Sequence, residues 1–191
     1  MRNMDERIRN SLIGFFILLA GICTTAQAQN RMTIQANAMG TSTQLGSTAS
    51  VNIYIDQLST PDDRKALVDA FTQKGQKGLY DALQSMQPKG RVRFASGGVG
   101  NDVKYIIELP SKTGRRFRLV TDRNLSFAEL RYNGRSVDYS VGAMELTITP
   151  DGKGTGRLLP ACKLKLSKQK EIEIETFQNP WNLTIFGVSK D

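Results

Sequence analysis

The sequence predicts an α+β protein that is mainly β. It reads as a curved antiparallel sheet, closed as a barrel or folded as a sandwich, with one short two-helix hairpin inserted after the second strand. Three observations lead there. From Gly90 to the C-terminus apolar residues recur with period two, the spacing of strands with one buried face. Turn signals punctuate those runs at Ser96–Asp102 (SGGVGND), Asn133-Gly134 and Pro150-Asp151-Gly152. Only the stretch after Thr60-Pro61-Asp62-Asp63 carries both a helix start signal and helical spacing.

The elements follow in order. Met1–Asn10 carries Arg2, Arg7 and Arg9, Ser11–Thr25 is the apolar run SLIGFFILLAGICTT, and Ala26-Gln27-Ala28 is a small-x-small cleavage pattern. This is the layout of an export signal, so the expected organisation is a signal peptide over 1–28 and a single β-rich domain over 29–191. The apolar core Leu12–Cys23 is 12 residues long, short of the roughly 18–20 that span a bilayer. A retained anchor is the rival reading. A lipidated Cys23 is another, but Ile22 stands where a lipobox needs a small residue.

Met32, Ile34, Ala36 and Ala38 alternate as a short strand, Gly40–Ser50 reads as a loop, and Val51, Ile53 and Ile55 alternate again. Thr60 fits an N-cap, Pro61 fits N1, and Asp62 and Asp63 suit the positive end of the helix dipole, Asp63 at the capping-box position. Ala66, Leu67, Ala70 and Phe71 form one apolar face, Gly75 and Gly78 punctuate, and Leu79, Leu83 and Met86 form the stripe of a second helix ending at Pro88-Lys89-Gly90. Val92 and Phe94 alternate with Arg91 and Arg93. Val103, Tyr105, Ile107 and Leu109 are expected to share one face, stopped by Pro110. Phe117 and Leu119 oppose Arg116 and Arg118. A strand around Ser126–Tyr132 leads into Asn133-Gly134, a favoured tight-turn pair.

The next strand shifts parity: Val137, Tyr139, Val141 and Ala143 are odd, Met144, Leu146 and Ile148 even. A bulge just after Gly142 would keep both halves on one core. Thr155–Leu166 carries Pro160, a mark of an edge or a kink. Lys163–Leu166 and Glu171–Glu175 (KLKL, EIEIE) are expected to pair Leu166 with Ile172, Lys165 with Glu173 and Lys163 with Glu175, a register that a one-residue slip would ruin. Trp181–Val188 is the last strand.

Composition excludes much. The leader holds three Arg, one Asp and one Glu, so residues 29–191 keep 23 of the chain's 26 basic and 16 of its 18 acidic residues, a net charge near +7. The chain has no histidine, so Ser-His-Asp and Cys-His catalysis and His-bearing metal sites are impossible. After cleavage only Cys162 remains, which forbids an internal disulfide and leaves a buried thiol or an intermolecular bridge. General acid–base work would rest on Asp, Glu, Lys or Tyr. No cofactor, metal or catalytic residue is expected, and the chain is not read as an enzyme.

The candidate constellations are weighed against plainer readings. Gly152–Gly156 (GKGTG) lacks Walker spacing and precedes a strand, so it reads as a glycine-rich hairpin. Ser167-x-x-Lys170 sits in a polar turn, unlike the buried lysine of a Ser-Lys dyad. Glu171, Glu173 and Glu175 could hold Ca²⁺, but read first as a solvated face matched to Lys163 and Lys165. Trp181 and Phe186 read as core or rim packing. The best surface is basic: Arg115, Arg116, Arg118, Arg123, Arg131 and Arg135, interleaved with Phe117 and Tyr132. Such a pattern suits phosphates and stacked bases, but export argues against nucleic acid. An anionic envelope polymer or lipid headgroups are the expected partners, with membrane contact otherwise only through an uncleaved signal segment. The plainer reading is an ordinary outward strand face.

Ser59-Thr60-x-x-Asp63-Arg64, Leu79-x-x-Ala82-Leu83-Gln84 and Gly90-x-Val92-Arg93 resemble an uncharacterised family of small exported bacterial proteins. Val120–Arg123 with Phe127, Glu145-Leu146, the Gly152/Gly154/Gly156 run, and Glu171–Glu173 through Phe177, Pro180 and Leu183 continue it. The resemblance covers nearly all of the mature chain and implies a bacterial, exported, single-domain protein; it carries no activity, ligand or site residue. The expected function is a non-catalytic binding or structural module, periplasmic or secreted. The alternatives are a carrier of small apolar ligands inside a barrel, and a carboxylate hydrolase using Asp122, Glu129 and Asp138.

Overall fold

The computed structural model describes residues 31–125, 139–176 and 179–190. The expected signal peptide, the expected strand around Ser126–Tyr132 and the Asn133-Gly134 turn lie outside the described residues. The elements in chain order are β1 (Met32–Met39), β2 (Thr48–Ile55), α1 (Pro61–Ser85), β3 (Gly90–Phe94), β4 (Asn101–Leu109), β5 (Arg115–Thr121), β6 (Val141–Ile148), β7 (Gly154–Leu166), β8 (Ile172–Thr176) and β9 (Trp181–Lys190). Neighbours run β6-β5-β4-β3-β2-β1-β9-β7, and β6 also pairs with β7. That last ladder closes eight antiparallel strands into a barrel. β8 stands outside the ring, paired with the far half of β7.

Alternation builds the interior. Ile34, Ile53, Val92, Phe117, Leu119, Met144, Leu158 and Trp181 all point inward and belong to one buried cluster. Each such side chain contributes on the order of 1.5–3 kcal/mol by leaving water. Gly154 and Gly156 let β6 and β7 approach: a Cβ there would lie 2.0 Å from the Thr147 carbonyl oxygen and 2.5 Å from that of Glu145. The GKGTG run is therefore a packing device at the closing seam.

α1 lies on the outside of the wall. Its start is a complete capping box: the Asp63 N–H donates to Thr60 Oγ1 (3.1 Å) and the Thr60 N–H to Asp63 Oδ2 (2.7 Å). Gly75, at φ 60 and ψ −148, breaks the helix. A Cβ on Gly78 would lie 2.4 Å from the carbonyl oxygen of Ala70, eight residues back and about 12 Å away along a straight helix. The two arms therefore fold against each other at Gly75, which is the helical hairpin inserted after β2. Leu67, Leu79 and Leu83 bury against Tyr105, Val120, Val141, Ala143, Leu159, Cys162, Leu164 and Ile172, a second apolar core outside the barrel.

This outer core corrects two expectations. β6 needs no bulge to explain its parity. Met144, Leu146 and Ile148 fill the barrel while Val141 and Ala143 face α1, so the strand is buried on both faces. The register shift beside it puts the extra residue on β7, between Leu159 and Cys162, where Pro160 cannot donate to a ladder and β7 changes partner from β9 to β8. On β4, Val103 and Tyr105 do not share a face. A register shift at Lys104 sends Val103 inward and Tyr105 and Ile107 outward beneath the helix. Lys104 Nζ then donates to the Met86 carbonyl at 3.0 Å, a cation at the helix C-terminus. No helix among the described residues is long and apolar enough to cross a membrane.

Candidate functional site

Away from the helix, the outer wall over β5, β6 and β7 gathers charge. Register sets Arg118 opposite Glu145 and Glu145 opposite Arg157, with Arg116, Thr147 and Thr155 forming the adjacent row. All point outward because their neighbours Phe117, Leu146 and Leu158 fill the barrel. Glu145 thus receives three guanidinium groups. Arg118 donates through Nε and Nη2 at 2.9 and 2.7 Å to Oε1. Arg116 and Arg157 approach Oε2 at 3.2 and 3.5 Å. Burial would push the Glu145 carboxyl up, but hydrogen bonds and charge from Arg118 and Arg116 outweigh it and hold the group below its ordinary value.

Three cations on one anion leave a surplus of two positive charges. Their accessibility differs. The Arg118 side chain is 16% exposed and also donates to the Ile172 carbonyl at 2.7 Å, so its work is to tie the wall to β8. The Arg116 and Arg157 side chains are 41% and 62% exposed. They border a surface groove of about 440 Å³ with Lys112, Ser111, Thr147 and Thr155. Arg157, Lys112 and the threonines were missed in the sequence because they lie outside the Arg115–Arg135 run. The readable signal for Arg157 was its alternation with inward Leu158 once β7 is paired to β6.

The other expected arginines go elsewhere. Arg115 points to one end of the barrel, forms a two-point pair with Glu108 (2.9 and 2.8 Å) and stands 4.7 Å over the Phe117 ring. Arg123 donates to the Gly100 carbonyl at 3.1 Å, near the opposite end. Arg131 and Arg135, like Tyr132, lie outside the described residues. The structure thus brings together Arg116 and Arg118 and separates both from Arg115 and Arg123.

The Ser167 hydroxyl accepts the N–H groups of Gln169 and Glu171 within its turn. Glu175 pairs with Lys165 at 2.9 Å and Glu171 with Arg64 at 3.5 Å. Among the described residues no group of three or more Cys, Asp or Glu could hold a metal ion. Asp122 is described, whereas Glu129 and Asp138 lie outside the described residues. Trp181 is buried inside the barrel, but Phe186 is 53% exposed.

Fold and site together define a small closed antiparallel β-barrel with an external helical hairpin and a cationic outer wall. No known family, curated protein or solved structure matches the chain, so the chemistry of the wall rests on its own geometry.

Proposed function

We propose that this protein is a non-catalytic exported module, periplasmic or secreted, that binds an anionic partner on the outer wall of its barrel. The observation that carries this reading is the convergence of Arg116, Arg118 and Arg157 on the single carboxylate of Glu145 beside an open groove. Arg118 and Glu145 hold the geometry, and Arg116 and Arg157 present charge that a second anion can use. The Arg-bearing start, apolar run and Ala26-Gln27-Ala28 pattern support export. A carrier of apolar ligands gains no support from the barrel interior, which Phe117, Met144, Ile53 and Trp181 occupy. The carboxylate hydrolase would need Asp122 together with Glu129 and Asp138, and the last two lie outside the described residues.

The test is retention on a sulfated polymer resin across a salt series. Exposed charge pairs weaken as the screening length shortens, so binding falls as salt rises. Arg116→Gln with Arg157→Gln, which spares Arg118, lowers affinity about tenfold, the loss of roughly 1.4 kcal/mol. Binding that ignores both salt and the double substitution sinks the reading.

A further inference from the structure

Beyond charge, the wall has a pattern. Arg116 on β5 is opposite Thr147 on β6, Thr147 opposite Thr155 on β7, and Thr155 opposite Thr184 on β9. A single row of side chains therefore crosses four strands, stepping by roughly 4.8 Å. The parallel row reads Arg118, Glu145, Arg157, Asn182. Both rows run outward from the arginine corner into hydroxyl and amide groups. Phe186, exposed on the outward face of β9 two residues from Thr184, flanks them.

We infer that the anionic partner is an acidic polysaccharide, its sugar chain lying across β6, β7 and β9 with a carboxylate at Arg116 and Arg157. This rests on the reading that the wall binds an anion, and it names the class. Threonine and asparagine side chains both donate and accept hydrogen bonds, as a ligand made of hydroxyl groups requires. Arg forks match the carboxylate of a uronic acid. An exposed phenyl ring offers an apolar platform to the C–H face of a pyranose. The repeat of a chain of pyranose rings is of the same order as the strand spacing, so successive rings meet successive strands.

Competing macromolecules fit less well. β6 and β9, and β7 between Gly154 and Leu158, are paired on both sides. They offer no free backbone edge for an extended peptide to join. A lipid surface calls for clustered lysines and arginines with several apolar residues that insert, whereas here one exposed ring, Phe186, stands beside rows of hydroxyl and amide groups.

The experiment titrates the full chain with four fluorescently labelled probes at low ionic strength: polygalacturonate, poly-glutamate of similar charge, neutral dextran, and vesicles containing phosphatidylglycerol. Polygalacturonate should bind about tenfold or more tighter than poly-glutamate. Phe186→Ala and Thr155→Val should each weaken polygalacturonate roughly three- to tenfold and leave poly-glutamate unchanged, while Arg116→Gln weakens both. Both substituted side chains are exposed, and thermal unfolding of each variant verifies that the barrel persists. Equal binding of the two polymers with no effect of Phe186→Ala overturns the polysaccharide and leaves the anionic wall standing. Tighter binding to the vesicles than to polygalacturonate also overturns it. Failure of every anionic probe overturns both.

Discussion

Lys89 Nζ lies 3.0 Å from Asp63 Oδ2, joining the wall just before β3 to the first turn of the external helix. The pair is mostly shielded from water, at 10% and 20% side-chain exposure. Asp63 also accepts from the Thr60 N–H, so one carboxylate serves both the cap and the clamp. Lys89→Met should lower stability by about 1–3 kcal/mol, the cost of leaving a half-satisfied polar group. Chemical denaturation at neutral pH measures this. An unchanged midpoint would mean that the outer apolar core alone holds the helix.

Acid should loosen the protein through two carboxylates. Burial pushes Asp63 up, but the Thr60 N–H and Lys89 more than offset it, and Glu145 is held down by Arg118 and Arg116 against the same opposing burial. Both groups have folded values below their ordinary 3.8 and 4.5. Their stabilisation is complete above those ordinary values and is lost as pH falls through the lower folded ones. Melting temperature should therefore stay level from neutrality to about pH 5 and drop below it. Glu145→Gln should flatten part of that drop.

The same substitution separates stability from binding. Glu145→Gln removes the anion on which three arginines converge, so the fold weakens. Yet the groove's surplus rises from two charges to three, so affinity for a polyanion rises severalfold at low salt. Parallel denaturation and binding titrations read the two signs, and a loss of both would mean that the hold of Glu145 on Arg116 and Arg157 matters more to binding than the added charge.

Cys162 is buried, and desolvation pushes its thiol up to about 12. It should resist a disulfide reagent at pH 8 in the native protein and react at once in denaturant. A disulfide-linked dimer on a non-reducing gel would contradict this placement.

Much of the fold was legible because local and global signals agreed. Thr60 through Asp63 gave the capping box, and the Lys165/Glu173 and Lys163/Glu175 pairing gave the β7–β8 register, which the structure reproduces. The contacting ion pair is the diagonal Lys165–Glu175. β2 begins earlier than its apolar run, at Thr48, within the stretch Gly40–Ser50 expected as a loop, because Met39 pairs with Thr48 and the Gly40 N–H to Ser47 carbonyl bond closes the eight-residue connection around a 3-10 turn at Ser42–Gln44. Failures fell where a strand is buried on both faces. Val141, Ala143 and Tyr105 lie under α1, a tertiary contact that period-two reading cannot anticipate.

The candidate site was legible only in part, and for the same reason. Arg116 and Arg118 follow from alternation within β5. Arg157 joins them only through the β6–β7 ladder, which is the closure of the barrel itself. Arg115, adjacent in sequence, is sent to the barrel end by the same alternation.

Threonine and isoleucine methyl resonances during titration with polygalacturonate test the central claim most directly. The expected result is salt-sensitive shifts at Thr147, Thr155 and Thr184 with the interior Ile34 and Ile53 unmoved. Shifts confined to the interior methyls, or none on the outer wall at saturating polymer, would contradict it.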